Sequence, residues 1–192
     1  MYLTVTEDSM GLTHVTSACI IYEETDAVID WYIKELILIV PWIKEKVLSI
    51  VTDKDSKLRK SLINNFPNAK MIICKFHVIQ IFQRELKLTK YNINADLKDS
   101  ILKTIRKIMY SKNEDEYRNL CTELYSYNIE DFNNYFKKNW DPIRTQWVIN
   151  LSTAMHHYNN LTNNRLESLN SKLKTTIKKF SNLEEFFEQF FK

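Results

Sequence analysis

Glycine is almost absent from this chain: Gly11 is the only glycine among 192 residues. Phosphate-binding loops of the G-x-G-x-x-G and Walker types need several glycines, because the backbone must approach the phosphate closely. ATP, NAD and FAD sites of those types are therefore excluded, and we expect no nucleotide cofactor. A Gly-x-Ser-x-Gly hydrolase is excluded for the same reason.

Cysteines and long apolar runs are scarce as well. The three cysteines, Cys19, Cys74 and Cys121, are widely spaced and odd in number, which favours a reducing compartment over a disulfide framework. Because no paired Cys-x-x-Cys occurs, zinc is not expected within this chain. The most apolar stretch, residues 36–43, is shorter than the about 20 residues that span a bilayer, so we expect no membrane partner.

A strand, a helix and a second strand are predicted between residues 46 and 86. The apolar runs 47–51 and 71–74 are typical of strands buried on both faces of a parallel sheet, and a right-handed βαβ unit connects them most simply. Ligand chemistry in open α/β sheets gathers beyond the carboxyl ends of the strands. Asp53 and Cys74 occupy those positions, so Asp53 is the first candidate for a functional residue.

The other elements are predicted from similar patterns. In the helix of the βαβ unit, Leu58, Leu62 and Phe66 recur at helical spacing, which places Arg59 and Lys60 toward solvent. Residues 91–158 offer helices and no clear strand. The predicted hairpin strands lie at residues 2–6 and 14–22, and the other predicted helices at 25–41 (with Thr25 as N-cap), 96–110, 114–127, 129–139, 162–178 and 183–191.

Several motifs of the chain occur in the same order in one known family. They are TD-x-D, FP-x-A and C-x-F-H within VTDKDSKLRKSLINNFPNAKMIICKFHVIQIFQREL, followed by YFKKNWDPIRTQWV and TNNRLESLNSKLKTTI. In these motifs the chain resembles the Mutator-type (MULE) transposases, and most closely the RNase H-like domain of SWIM-type zinc-finger proteins (the ZSWIM group). The resemblance runs from about Leu3 to the C-terminus.

The resemblance implies the fold class and its layout. We expect an α/β protein with an RNase H-like core and a mixed sheet, N-terminally incomplete, and with an all-helical insertion before the last core helix. One domain overall is expected, with the sheet part of the core at residues 1–90, the insertion at 91–158 and the C-terminal core helices at 159–192. A nuclear location is implied as well.

The resemblance also implies a set of catalytic residues. DDE-type transposases place three carboxylates around divalent cations that activate the attacking oxygen and stabilise the leaving one. By motif match Asp53 is the second carboxylate and Glu167 the third, Asp55 is a spare ligand, and Mg²⁺ is the expected metal if the chain is active. The family's first Asp would precede the predicted hairpin, so activity depends on an upstream strand that supplies it.

Each candidate carboxylate has a structural alternative. Asp53 lies between a strand and a helix, where Asp is a common N-cap, and Glu167 lies near Arg165 on a polar helix face. The resemblance favours a metal-ligand ancestry for both carboxylates over these alternatives.

Cys74 and His77 form the C-x-F-H motif and are candidate metal ligands. Two ligands fall short of the four that structural zinc requires, so a buried thiol and a hydrogen-bonded imidazole are the alternative. His156 and His157 are discounted as further ligands, because adjacent histidines on a helix point in different directions.

Basic and aromatic residues suggest a nucleic-acid-binding surface. The net charge is +3, so local clusters matter more than the total. Trp140 and Trp147 are expected on one helical face with Arg144 between them. Packing of both tryptophans in the core is the default interpretation, and base stacking or a cation–π contact is the alternative. The candidate nucleic-acid-binding residues are Lys54, Lys57, Arg144, Lys172 and Lys174, for which solvated helix surface is the alternative.

Three functional hypotheses remain open. The first is a transposase-derived domain that binds DNA or a protein partner and does not catalyse. The second is a fragment of an active Mg²⁺-dependent DNA transposase whose first Asp lies upstream. The third is a protein-interaction scaffold that uses the helical region. Salt-dependent DNA binding separates the first hypothesis from the third.

Overall fold

The computed structural model describes residues 2–7, 10, 12–151, 168, 171, 175 and 183–190. The chain divides into two compact units, Met1–Glu24 with Asn163–Lys192, and Thr25–Thr162. The fold is a mixed α/β fold with small sheets, in agreement with the predicted class. The predicted boundaries at residues 90 and 158 stay predictions. None of the described helices is long and apolar enough to cross a membrane.

The first unit contains the predicted hairpin. Strands β1 (Tyr2–Glu7) and β2 (Thr13–Cys19) pair antiparallel. The Thr16 hydroxyl also donates to the Thr4 carbonyl across the pair, at 3.0 Å. β2 is shorter than predicted because its pairing ends at Cys19, opposite Tyr2. The last helix, α9 (Leu183–Phe190), belongs to this unit.

The second unit begins with helix α1 (Asp26–Ile39), followed by the short helix α2 (Ile43–Lys46). The Thr25 hydroxyl accepts a hydrogen bond from the Val28 N–H at 3.3 Å, which confirms Thr25 as the N-cap. Ile29 and Ile33 are buried where α1 packs against the next long helix.

The predicted strand–helix–strand unit follows, and its two strands are parallel. Its elements are β3 (Ser49–Thr52), α3 (Ser56–Asn65) and β4 (Lys70–Ile73). β4 is buried from Met71 onward, but in β3 only Thr52 is buried. The prediction that β3 is buried on both faces is therefore wrong, and β3 begins at residue 49 rather than 47, where its pairing with β4 starts.

The register of α3 also differs from the prediction. Arg59 is only 8% exposed, so the prediction that it faces solvent is wrong, whereas Lys60 is exposed as predicted. The buried face of α3 includes Arg59 and Leu62 and continues to Phe66, at spacings of three and four residues. An α-helix accommodates this spacing as well as it accommodates the predicted stripe of Leu58, Leu62 and Phe66, in which each residue is four positions from the next.

Residues 75–151 form helices and loops and contain no strand, as predicted for residues 91 onward. The elements are α4 (Lys75–Glu85), α5 (Leu88–Tyr91), α6 (Ala95–Met109), α7 (Glu114–Tyr125), α8 (Glu130–Asn139) and a 3₁₀ helix (Asp141–Gln146). α6, α7 and α8 confirm the predicted helices to within two residues at each end. Asn94 and Asn113 cap α6 and α7 through their side chains.

An aromatic core holds these helices together. Phe82 of α4 is fully buried, and its ring lies 4.4 Å from that of Trp140 and 6.2 Å from those of Phe132 and Phe136. Ile73, the last residue of β4, belongs to the same core. The core therefore holds the segment around Trp140 close to the carboxyl end of β4.

Candidate functional site

Strands β3 and β4 end side by side. Thr52 pairs with Ile73, and the Cys74 N–H donates to the Thr52 carbonyl at 2.7 Å. Asp53 and Cys74 therefore follow neighbouring strand ends, as predicted. Cys74 is fully buried whereas Asp53 is half-buried, so Asp53 is the more accessible of the two.

The two aspartates after β3 have different roles. Asp55 is the N-cap of α3, and its Oδ1 accepts a hydrogen bond from the Leu58 N–H at 2.8 Å. Asp53 instead accepts from the Asp55 N–H through its Oδ1, at 3.2 Å. The structural alternative that made Asp53 the helix cap is therefore wrong, and the predicted spare ligand Asp55 takes that position.

A buried guanidinium lies behind Asp53. Arg59 donates to the Thr52 hydroxyl at 2.9 Å and to the Gln146 side-chain carbonyl at 2.6 Å. Burial lowers the pKa of Arg59, and the negative charge of Asp53 opposes that shift. The carboxyl end of β3 therefore combines a half-buried carboxylate with a buried cation.

Lys54, a predicted nucleic-acid-binding residue, makes contacts inside the protein. Its Nζ lies 3.9 Å from the centre of the Trp140 ring and donates to the Asn139 carbonyl at 3.1 Å. Burial and, secondarily, the positive charge of Arg59 lower the pKa of Lys54. The loop after β3 is thus fastened to the segment between α8 and the 3₁₀ helix.

An open pocket of about 400 Å³ lies between α3 and the 3₁₀ helix. Among the described residues that line it, three are basic, namely Lys54, Arg59 and Lys60, and none is acidic. The pocket is therefore suited to an anion and not to a cation. We refer to it below as the α3 pocket.

The C-x-F-H motif gives no metal site among the described residues. Cys74 is buried directly before α4, and His77 is half-buried in the first turn of that helix, with its ring centre 5.8 Å from that of Phe76 in an edge-to-face arrangement. The described part of the chain contains no group of three or more His, Cys, Asp and Glu side chains that could hold a metal ion. His156 and His157 lie outside the described residues.

The two tryptophans pack in the core, as their default interpretation predicted. Trp140 and Trp147 are both buried, with ring centres 5.5 Å apart in an edge-to-face arrangement. They do not share an α-helical face as predicted, because the segment between them is a 3₁₀ helix with Pro142 near its start. Arg144 contacts neither ring; it pairs with Glu114 at 3.3 Å and lies 5.9 Å from the Tyr117 ring.

The remaining predicted residues divide into two groups. Lys57 is exposed in the first turn of α3, where it remains a candidate for binding a phosphate backbone. Glu167, Lys172 and Lys174 lie outside the described residues, as does most of the predicted helix 162–178. Their assignment to a site stays a prediction.

Residues 1–81 of the chain match the MULE transposase domain family. The match spans both sheets and ends within α4, so it includes Asp53, Cys74 and His77. It supports the predicted relation to MULE transposases and suggests a transposase-derived origin for this part of the chain. No curated protein matches the chain.

Sequence reasoning placed Arg59 toward solvent among the basic residues that follow Asp53, so it missed the buried contacts of Arg59, and it did not identify Gln146. For Arg59 a signal was present, because it precedes Leu62 and Phe66 at helical spacing. For Gln146 there was none: its link to Arg59 joins residues 87 positions apart and depends on the packing of the 3₁₀ helix.

Proposed function

We propose that the chain is a transposase-derived, RNase H-like domain of the SWIM-type zinc-finger group that binds nucleic acid in the nucleus and does not cleave it. The similarity of residues 1–81 to the MULE transposase domain supports the origin. The parallel β3–α3–β4 unit with Asp53 beyond its strand ends supports an RNase H-like core. In this proposal the helical residues 91–158 are an insertion into that core.

The observation that carries the proposal is the buried Arg59 beside Asp53. A carboxylate that ligates Mg²⁺ must hold a dication, and a fixed cation next to it opposes the metal electrostatically. The neighbouring carboxylate, Asp55, is already engaged as the cap of α3. The cations near Asp53, together with the exposed lysines of α3, suit a phosphate-bearing ligand such as a nucleic-acid strand.

The test is the salt dependence of DNA binding by the whole chain. With a labelled DNA duplex of about 20 base pairs, log Kd should rise linearly with log salt between about 50 and about 200 mM. The double variant Lys57→Ala/Lys60→Ala should reduce that slope by roughly 2, one per phosphate contact. The matched control is Lys103→Ala, which removes an exposed lysine from α6 and should leave the slope unchanged. If duplex binding is absent or independent of salt, the proposal fails.

Active cleavage is a second candidate, favoured by the position of Asp53 at the carboxyl end of β3. It requires a first Asp on an upstream strand, and it predicts that the protein carrying that strand nicks duplex DNA when Mg²⁺ is added and that Asp53→Asn and Glu167→Gln each abolish nicking. Metal-dependent nicking that both variants remove would replace the binding-only proposal. If the protein that includes the upstream Asp and both of its variants give equal background nicking, this candidate is rejected.

A protein-interaction scaffold is a third candidate, and exposed apolar side chains favour it. Trp31, Leu38 and Trp42, on α1 and just after it, are 53%, 71% and 64% exposed. Large exposed apolar side chains that lie close together are common at protein interfaces. Purification of a stable complex that Trp31→Ser and Leu38→Ser disrupt, without any DNA binding, would favour this candidate.

A further inference from the structure

The described lining of the α3 pocket carries charge of one sign, and the counter-charge of Asp53, which interacts with Arg59, lies outside that lining. Its basic lining residues are Lys54 on the loop and Arg59 and Lys60 on α3, and the described part of the lining contains no carboxylate. Cations close together repel one another and are normally accompanied by counter-charges. One nearby carboxylate against three basic side chains leaves the pocket with net positive charge, which an anionic ligand would offset.

Arg59 is the strongest indication of such a ligand. It is 8% exposed, and both of its hydrogen bonds go to neutral oxygens, the Thr52 hydroxyl and the Gln146 amide. Among the described residues no carboxylate lies within ion-pair distance of it. A guanidinium has five N–H groups in a rigid fork that matches phosphate oxygens, and these two bonds use only two of them.

Lys54 is held in place before any ligand arrives. The Trp140 ring and the Asn139 carbonyl fix its ammonium group. An ammonium that is already ordered loses little conformational entropy on binding. Its repulsion by Arg59 would also be relieved by an anion that contacts both side chains.

Three isoleucines form an apolar part of the pocket. Ile63, Ile73 and Ile143 line it, and Ile63 is 50% exposed. Two amide side chains, Asn64 and Gln146, are also present in the lining and can bind polar edges of a ring. The volume of about 400 Å³ lies within the range of small-molecule sites.

We propose that the α3 pocket binds a phosphate monoester that carries a planar ring, that is, a nucleoside monophosphate or the 5′-phosphorylated end of a nucleic-acid strand. The phosphate lies against Arg59, Lys54 and Lys60, and the ring lies against the isoleucine wall. A monoester is favoured over a backbone diester because its charge at neutral pH is about −1.5 to −2, which matches the clustered cations better. The proposal does not depend on duplex binding by the rest of the chain.

The test is isothermal titration calorimetry of the full chain with adenosine monophosphate, adenosine and inorganic phosphate. We expect saturable binding of the monophosphate and at least about tenfold weaker binding of each of the other two compounds, because each lacks one half of the recognition. Equal binding of inorganic phosphate and the monophosphate overturns the ring contact. Equal binding of adenosine and the monophosphate overturns the phosphate contact.

Variants at exposed positions avoid unfolding the protein. Lys60→Ala and Ile63→Ser should each weaken binding of the monophosphate about five- to tenfold, while Lys103→Ala should leave it unchanged. Unchanged affinity in both pocket variants places the ligand elsewhere and overturns the proposal.

Competition experiments distinguish the two sources of the phosphate. If a 5′-phosphorylated oligonucleotide displaces the monophosphate and its 5′-hydroxyl counterpart does not, the ligand is a strand end. If neither oligonucleotide displaces it, the ligand is a free nucleotide. Binding of the monophosphate without salt-dependent duplex binding would support the pocket and refute the proposed function.

Discussion

Replacing Lys54 with Met tests whether this lysine belongs to the protein interior or to a solvated surface. Methionine keeps most of the apolar stem but removes the ammonium group. The variant loses the hydrogen bond to the Asn139 carbonyl, at 3.1 Å, and the cation–π contact with Trp140, at 3.9 Å. Both contacts fasten the loop after β3 to the helical region.

The magnitude follows from these two contacts. A hydrogen bond from a charged donor contributes about 1.5–3 kcal/mol, and a desolvated cation–π contact contributes about 1–2 kcal/mol. Part of this is offset, because burial and the charge of Arg59 disfavour the charged form of Lys54 and lower its pKa. We expect a net loss of about 2 kcal/mol in the free energy of unfolding.

Urea denaturation followed by tryptophan fluorescence measures this loss, since Trp140 and Trp147 are buried beside the substituted residue. Lys60→Met is the matched control: it also removes a lysine charge from the α3 pocket, but Lys60 is exposed. Its expected change is below about 0.5 kcal/mol. If the Lys54 and Lys60 variants lose the same amount, the internal role of Lys54 is refuted.

Two further predictions concern α3 and its partner helix α1. Asp55→Ala should lower the free energy of unfolding by about 1 kcal/mol, because it removes the cap of α3, whereas Asp55→Asn should lose only a few tenths since Asn caps equally well. Asp30 accepts from Lys34, Ser61 and Asn65, which together lower its pKa from the usual 3.8 to about 2. Because the pKa of Asp30 is lower in the folded state than in the unfolded state, its contacts stabilise the fold fully at pH values above the unfolded-state pKa. The stability gap, that is, the difference in the free energy of unfolding between the chain and Asp30→Asn, should therefore be constant above about pH 5 and shrink as the pH falls toward 2.

Thermal or urea unfolding at a series of pH values measures both effects. Equal losses in the alanine and asparagine variants of Asp55 would show that the side-chain oxygen does not cap α3. A stability gap for Asp30→Asn that does not change between pH 6 and pH 2 would show that the carboxylate makes no net favourable contact in the folded state.

The helices between residues 95 and 139 were predicted well because their signals are local. α6 has apolar residues at helical spacing, begins at a capping Asn and ends near the predicted residue. The strands were less well placed, since Val47 and Leu48 continue the apolar run of β3 without entering its ladder. The end of a strand depends on its partner, and the partner is not visible in a local pattern.

The site was predictable only in part for the same reason. Asp53 was placed correctly at the carboxyl end of β3, because the alternation of strand and helix determines where strands end. Asp53 and Asp55 are both possible caps of α3 by sequence, because the first residue of the helix can shift by two positions without conflict with the local pattern. Only the structure shows that Asp55 is the cap. The hydrogen bond of Arg59 to Gln146 and the docking of Lys54 on the segment around Trp140 involve residues more than 80 positions further along the chain, and no local pattern reports on them.

The two links from the loop and helix after β3 to the segment 139–146 have a consequence for the order of folding. Lys54 bonds to a carbonyl 85 residues later, and Arg59 bonds to an amide 87 residues later. During synthesis, β3, α3 and β4 emerge well before residues 139–146 are made. Until then Arg59 lacks its Gln146 acceptor, and Lys54 lacks its contact with the Trp140 ring. The carboxyl end of β3 therefore reaches its final form late, through contacts of high sequence separation, whereas α6, α7 and α8 can form early from neighbouring residues.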